Sequence, residues 1–218
     1  MRDTFDHSQK NGANVTTFYF KPAKPLRYEA GQFTELYLPH DKPDDRGIKR
    51  WFTLSSAPGD ELLSITTRIA DKSSSFKQAL QALKPGTAVR LEEPLGDFVL
   101  PKDPNIPLVF MAGGIGITPF LSIARDLTKT HSIRDVELYY IVHDVADAHF
   151  EAELIAAGYK VSLIVGGGGE QLLEDANLVS GALYFISGPE GLAEKLVGEL
   201  KASHITSSQI VTDYFPGY

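Results

Sequence analysis

The rhythm of apolar and polar residues changes once along the chain. Residues 14 to 100 carry short extended runs. Val15-Thr16-Thr17-Phe18-Tyr19-Phe20 is β-branched and aromatic, Thr34 to Leu38 alternates, and Leu62 to Ile69 follows the turn-like Pro58-Gly59-Asp60. Pro22, Pro25, Gly31, Pro39, Pro43, Gly47, Pro85, Pro94 and Gly96 punctuate these runs. Proline cannot donate to a strand ladder and glycine tolerates tight bends, so this vocabulary predicts a small antiparallel barrel. After Pro101-Lys102-Asp103-Pro104 the period lengthens. A continuous apolar run at Pro107–Ala112 precedes a helical pattern over Pro119–Lys129 and a second apolar run at Val136–Val142. A helix over Ala148–Ala157, strands at Lys160–Val165 and Ala182–Ser187, a helix over Pro189–Ala202 and a short strand at Gln209–Thr212 continue the alternation. The predicted fold is therefore a two-domain β + α/β protein. An antiparallel Greek-key β-barrel covers residues 1–102, and a parallel-sheet α/β nucleotide-binding domain covers 103–218.

Composition narrows the function. Of 218 residues, 43% are apolar and 22% charged, which is the balance of an ordinary folded domain and not of a disordered or collagen-like chain. Asp and Glu outnumber Lys and Arg by 28 to 21, a net charge of −7 that opposes nucleic-acid binding by counterion release. The longest apolar stretch, Ile106 to Leu121, is broken by Pro107, Gly113, Gly114, Gly116 and Pro119, so membrane insertion is not expected. The first residues lack the apolar core of a secretory signal, which points to a cytoplasmic location. With no cysteine, thiol nucleophiles, disulfides and Cys-ligated zinc or iron–sulfur clusters are excluded. Redox work in these residues requires an organic cofactor.

Three segments could supply its site. Met111-Ala112-Gly113-Gly114-Ile115-Gly116-Ile117-Thr118-Pro119 leaves a buried strand and enters a helix. Glycines there let a phosphate approach the backbone, Thr118 suits the helix cap, and Pro119 suits the first helical position. A purely structural turn would read the same way. Arg50-Trp51-Phe52-Thr53-Leu54-Ser55-Ser56 sets Arg50 and Phe52 two apart, on one face of a strand, where a guanidinium could hold a diphosphate while a ring lies along a flat ligand. A half-buried barrel strand with an exposed arginine is the plainer alternative. Lys72-Ser73-Ser74-Ser75-Phe76-Lys77-Gln78 predicts a helix start in which Ser75 and Gln78 form a capping box, a second possible anion site or an ordinary capped helix. A metal site is not expected, since His143 and His149, with Asp144 and Asp147 between them, lack any companion ligand motif. Gly166-Gly167-Gly168-Gly169 reads as a flexible surface loop.

Taken in order, these segments resemble the ferredoxin-NADP reductase-like flavoprotein family. Arg50-Trp51-Phe52-Thr53 is similar to its Arg-x-Tyr-Ser flavin motif, and Gly113-Gly114-Ile115-Gly116-Ile117-Thr118-Pro119 matches its Gly-Gly-x-Gly-x-Thr-Pro nicotinamide motif. Ser187-Gly188-Pro189 stands where the family has Cys-Gly-Pro, and Ile210 to Phe215 resembles an Ile-x-x-Glu-x-Phe ending, with Asp213 for the glutamate. The resemblance implies FAD on the barrel, NAD(P)H on the second domain, and an NAD(P)H-dependent reductase that passes electrons to a separate acceptor such as a ferredoxin or flavodoxin.

It further implies roles for particular residues. Arg50 holds the FAD diphosphate with Ser74 and Ser75, Phe52 packs along the isoalloxazine, Thr53 bonds near flavin N5, and Trp51, Ser55, Thr67 and Arg68 complete the flavin site. Gly114, Gly116, Thr118 and Pro119 receive the dinucleotide, Ser187 with Gly188 and Pro189 lies near the nicotinamide, and the aromatic tail places Phe215 or Tyr218 over the flavin. Thr53, Ser187 and Phe215 are thereby the residues nearest the reacting atoms. Asp144, following the strand that ends at Val142, would repel a 2′-phosphate and favour NADH. Two other readings stay open: a flavin-binding relay or regulatory subunit with weak nicotinamide turnover, for which Ser187 speaks, and a dinucleotide module without flavin, against which the Arg50 strand speaks. An acidic acceptor would need a local basic patch, for which Lys72, Lys77 and Lys84 are the candidates.

Overall fold

A computed structural model describes residues 2–70, 72–166 and 179–215, with the side chains of Tyr214 and Phe215 left aside. The chain divides into two compact units, Met1–Val99 and Leu100–Tyr218.

The first unit is one antiparallel six-stranded sheet. Its strands are β1 (Asp3–Lys10), β2 (Val15–Lys21), β3 (Phe33–Tyr37), β4 (Lys49–Thr53), β5 (Leu63–Arg68) and β6 (Ala88–Leu91), in the order β4-β3-β6-β1-β2-β5. An isolated bridge between Leu54 and Ile65 ties the chain beyond β4 to β5, so the two ends of the sheet meet. The curl encloses Phe5, Phe18, Phe20, Leu36, Phe52, Leu54 and Ile65. The short helix α1 (Ser75–Gln81) covers that core with Phe76 and Leu80. Two strands, β1 and β6, escape the periodicity reading. In β1 the polar run Asp6 to Lys10 is solvent-facing, and only Phe5 is buried, so the alternation that marks a strand is too short to see.

The second unit is a parallel sheet of β7 (Leu108–Gly113), β8 (Val136–Val142), β9 (Lys160–Val165), β10 (Leu183–Pro189) and β11 (Ile210–Phe215), ordered β11-β10-β7-β8-β9. Its described helices are α2 (Thr118–Thr130), α3 (Glu151–Ala156) and α4 (Glu190–Ala202). The central strands read as unbroken apolar runs because both faces are covered. Val109 and Met111 pack with Tyr184, Ile186, Leu196 and Leu200 on one side. Phe110, from the other face, stacks on Phe120 of α2 at 4.6 Å and meets Tyr159 and Phe185 edge-on.

Local details differ from expectation in four places. The cap of α1 is Ser74, whose hydroxyl accepts from the Lys77 N–H at 3.4 Å; Gln78 instead donates to the Ser73 carbonyl, so the Ser75–Gln78 capping box is absent. Thr118 is no cap either. A 3-10 turn at Gly114–Ile117 precedes α2, which moves Thr118 into the first helical position and Pro119 to the second; the Thr118 hydroxyl donates back to the Ile115 carbonyl at 3.2 Å. The helix expected from Ala148 begins only at Glu151, after a 3-10 turn at Val145–Asp147 capped by Asp144. The final strand runs on to Phe215 because it pairs along the whole of Tyr184–Pro189. Gly166 lies just after β9, whereas Gly167 to Gly169 and Tyr218 fall outside the described residues.

Candidate functional site

In the first unit the strand β4 turns Arg50 and Phe52 to the same side. Phe52 is buried, 6.0 Å from the ring of Phe76, and the Arg50 guanidinium lies 5.0 Å over that same Phe76 ring. Trp51 points the opposite way, 58% exposed, with its indole N–H donating to Glu35 at 2.8 Å. The aromatic ring that this strand offers to solvent is therefore Trp51, and Phe52 belongs to the core.

Arg50 sits among cations. Lys77, on the first turn of α1, donates to the Arg68 carbonyl at 2.8 Å. Burial, with Arg46 and Arg68 close by, pushes the Lys77 ammonium down to about 8. Among the described residues the carboxylate bonded to Arg50 is Asp44, whose Oδ1 accepts from Nη2 at 2.5 Å. That pairing holds the Asp44 carboxyl below its ordinary value. Arg50 Nη1 donates to the carbonyls of Arg46, Gly47 and Lys49.

The serines at the start of α1 are all locally engaged. Ser73 donates to the Ala70 carbonyl at 2.5 Å, Ser74 caps the helix, and Ser75 bonds His40 Nε2 at 3.2 Å. Thr53 and Thr67 are buried on β4 and β5. Ser55 is deeper still, its hydroxyl bonded to Ser64 at 3.0 Å and Thr66 at 2.9 Å, so it is not brought to the cationic cluster. The tertiary structure adds Asp44 and Arg46 to the residues singled out by sequence, and turns Lys77 from a partner-facing charge into a member of this cluster. The Asp44-Asp45-Arg46-Gly47 turn just before the arginine strand was the available signal.

In the second unit the glycines divide by role. A Cβ on Gly116 would drive into the carbonyl of Ser187 and the Cα of Gly188, and one on Gly113 would meet Leu192 at 2.5 Å and Pro189 at 3.0 Å. These two glycines let the ends of β7 and β10 close on one another. Gly114 differs: its φ is +51°, a conformation that favours glycine, and nothing lies within 4 Å of its would-be Cβ, so it faces open space. At Gly116, expected with it to receive the dinucleotide, that space is filled by protein. Thr118 and Pro119 are buried in the first turn of α2.

Ser187 lies at the end of β10, 1% exposed, and its hydroxyl makes no hydrogen bond; among the described residues it is the one buried side-chain polar atom without a partner. An orphaned hydroxyl in a core costs free energy, and its persistence marks a place where a ligand can satisfy it. Alongside, β11 pairs Asp213 with Ser187, Tyr214 with Gly188 and Phe215 with Pro189, so the backbone of the tail runs beside the Ser187-Gly188-Pro189 segment. Asp144 caps the turn after β8, its carboxylate accepting from the Ala146 N–H at 2.9 Å, and lies exposed.

Residues 107–155, which contain this glycine turn and the Asp144 turn, match the Ferric reductase NAD binding domain. The whole two-unit chain superimposes on the flavohem-like FAD/NAD binding domain of nitric oxide dioxygenase from Vibrio cholerae, with a TM-score of 0.84 at 23% identity and 98% of both chains covered. It also superimposes on a ferredoxin NADP+ reductase from Neisseria gonorrhoeae, with a TM-score of 0.78 at 18% identity and 98% of each chain. The chain has the ferredoxin-NADP reductase-like fold. Within that fold, sequence similarity reaches an NADPH oxidoreductase of Mycobacterium tuberculosis, 34% identical over 161 residues. The alignment takes in 67% of this chain and 41% of the relative, so the chain spans about two fifths of that protein's length. Among the described residues no helix of this ferredoxin-NADP reductase-like chain is long and apolar enough to cross a membrane.

Proposed function

We propose that the chain is the FAD- and NAD(P)H-binding part of a flavoprotein reductase, taking a hydride from NAD(P)H and passing electrons to a separate acceptor. The observation that carries this reading is the cluster at the start of α1, where Arg50 lies 5.0 Å over the Phe76 ring and Lys77, pushed down by burial, has Arg46 and Arg68 close by, in a chain whose net charge is −7. Like charges concentrated against the overall balance are a site for an anion. The residues present fit a flavin diphosphate on the first domain, residues 1–102, and a dinucleotide on the second, residues 103–218.

Bound FAD supplies the hydride-accepting and electron-releasing chemistry. The protein's part is placement. Arg50 and its neighbouring cations would anchor the diphosphate, and Thr53, buried on the same strand, would supply a hydroxyl to the isoalloxazine. Gly114 admits the dinucleotide phosphates to the backbone beside α2. Ser187, whose hydroxyl has no partner in the protein, would hydrogen-bond the nicotinamide end and orient it for hydride transfer. No protein acid is required in the hydride step. With no cysteine in its 218 residues, this chain holds no iron–sulfur cluster of its own, and the acceptor lies elsewhere. Asp144 favours NADH, although the Mycobacterium tuberculosis relative is named an NADPH oxidoreductase.

The purified protein should absorb near 450 nm and release FAD on denaturation. Anaerobic titration with NADH should bleach that band, and NADPH should do so with lower kcat/KM. Release of FMN, or no flavin uptake on reconstitution, would overturn the flavin assignment. Flavin that binds yet is not reduced by either nucleotide would support a relay subunit instead. A higher kcat/KM with NADPH would show that the 2′-phosphate is held away from Asp144, with Lys129 and Arg125, the latter bonded to Glu153 at 2.6 and 3.1 Å, as the candidates.

A further inference from the structure

The guanidinium assigned to the flavin diphosphate already holds an anion of the protein's own. Asp44 Oδ1 lies 2.5 Å from Arg50 Nη2 and accepts from the Arg46 N–H at 3.0 Å, while Oδ2 is 3.3 Å from the Arg46 guanidinium. Arg50 Nη1 is turned to the carbonyls of Arg46, Gly47 and Lys49 at 3.2, 3.1 and 2.6 Å. Both terminal nitrogens are thus engaged. Nη1 has two N–H groups and already faces three carbonyls, so a two-pronged grip on an oxyanion falls to Nη2 with Nε, and a phosphate held there shares Nη2 with the Asp44 carboxylate. Of these acceptors, the carboxylate is the one that can leave. The carbonyls belong to the main chain of the Asp44–Gly47 turn and of β4, whereas the Asp44 carboxylate is carried on a rotatable side chain, in a run where Asp41, Lys42, Pro43, Asp45 and Arg46 are exposed.

Charge points the same way. The Arg50 side chain is only 9% exposed and that of Asp44 34%, so the pair is partly shielded from solvent and the attraction is stronger than at an open surface. A phosphate brought to within bonding distance of Arg50 would also lie against the Asp44 carboxylate, and two anions sharing one guanidinium repel.

Resting on the flavin reading above, we propose that Asp44 is an internal competitor for the diphosphate. It occupies Arg50 until the cofactor displaces it, and so sets how tightly flavin is held and how fast it leaves. The Asp44 turn thereby makes flavin more exchangeable than the cationic cluster alone would.

The test compares FAD binding by apoprotein of the wild type, Asp44→Asn and Asp44→Ala, using quenching of flavin fluorescence for Kd and displacement for the release rate. Asn preserves the size of the side chain and its acceptor for the Arg46 N–H while removing the charge. Both variants should bind FAD about fivefold more tightly than wild type, with slower release, and the gain should shrink as salt is raised. Thermal unfolding of each apoprotein establishes that the variants are folded. Unchanged or weaker binding by folded Asp44→Asn would overturn the proposal, since Asp44 would then be orienting Arg50 for the phosphate instead of competing with it. If wild type and both variants all fail to bind FAD, the flavin reading itself falls and this inference falls with it; wild-type binding without the Asp44 effect leaves the flavin reading standing and sinks only the competitor.

Discussion

The two units meet negative charge by different physics. In the first, side chains do the work: cations from the Asp44–Gly47 turn, β4, β5 and α1 converge, and Lys77 is lowered by its burial and, after that, by Arg46 and Arg68. In the second, the work is done by the absence of side chains: Gly113 and Gly116 bring the ends of β7 and β10 together, Gly114 exposes backbone, and one serine hydroxyl is left without a partner. A site built of charges can be tuned by salt, pH and a competing carboxylate. A site built of close-packed backbone is set by shape, and a single methyl group tests it.

The largest effect should come from that methyl group. Gly116→Ala places a Cβ against the Ser187 carbonyl and the Gly188 Cα, neither of which can swing aside as a side-chain tip would. Destabilisation of about 3 kcal/mol or more is expected in urea unfolding. Gly114→Ala meets no atom and bears only the cost of its positive φ, about 1 kcal/mol. Equal costs at the two positions would break the division of the glycines by role.

Next is Arg50→Ala, which should weaken FAD binding by about tenfold or more, consistent with loss of a charge-assisted anchor, while leaving NADH affinity of the second unit nearly unchanged. A parallel loss of both ligands would mean that the two sites are not chemically separate.

A smaller effect concerns pH. Lys77 titrates near 8 in the folded chain against 10.5 ordinarily, so between those values the unfolded chain binds more protons and stability rises with pH; at pH 7 the charged amine is a cost. Lys77→Gln should therefore raise the urea midpoint at pH 7, and the difference should narrow toward pH 10.5. In the wild type, FAD affinity should fall severalfold as pH rises through about 8, and Lys77→Gln should flatten that profile. NADH affinity should show no such step, which measures the two sites against each other directly.

The smallest change is Ser187→Ala. Its hydroxyl bonds nothing in the protein, so stability should hold or increase by up to about 1 kcal/mol, while kcat/KM for NADH falls. Lost stability would show that the hydroxyl serves the fold.

Much of this was legible along the chain. The change near residue 101 separates the two units because short β-branched runs cut by proline and glycine give way to longer apolar runs alternating with helical patterns. The glycine turn and the Arg50 strand were visible as types of residue at short spacing, a local property. Boundaries were less so: β1 is held by its partners rather than by its own pattern, β6 alternates over only four residues, and β11 reaches Phe215 where β10 pairs with it.

What tertiary structure alone decided is which of several similar residues does what. Three glycines within four positions look alike in sequence, yet two are spent on close contact with the Ser187–Leu192 segment far along the chain and one faces open space. Arg50 is visible as a cation, but its pairing with Asp44, and the convergence of Arg68 and Lys77 from other elements, depend on how the chain returns on itself. Short-range pattern is written by helix and strand periodicity, so sequence determines the elements and the candidate chemistry. Steric closure and electrostatic pairing are sums over neighbours distant along the chain, and only the folded arrangement sets them.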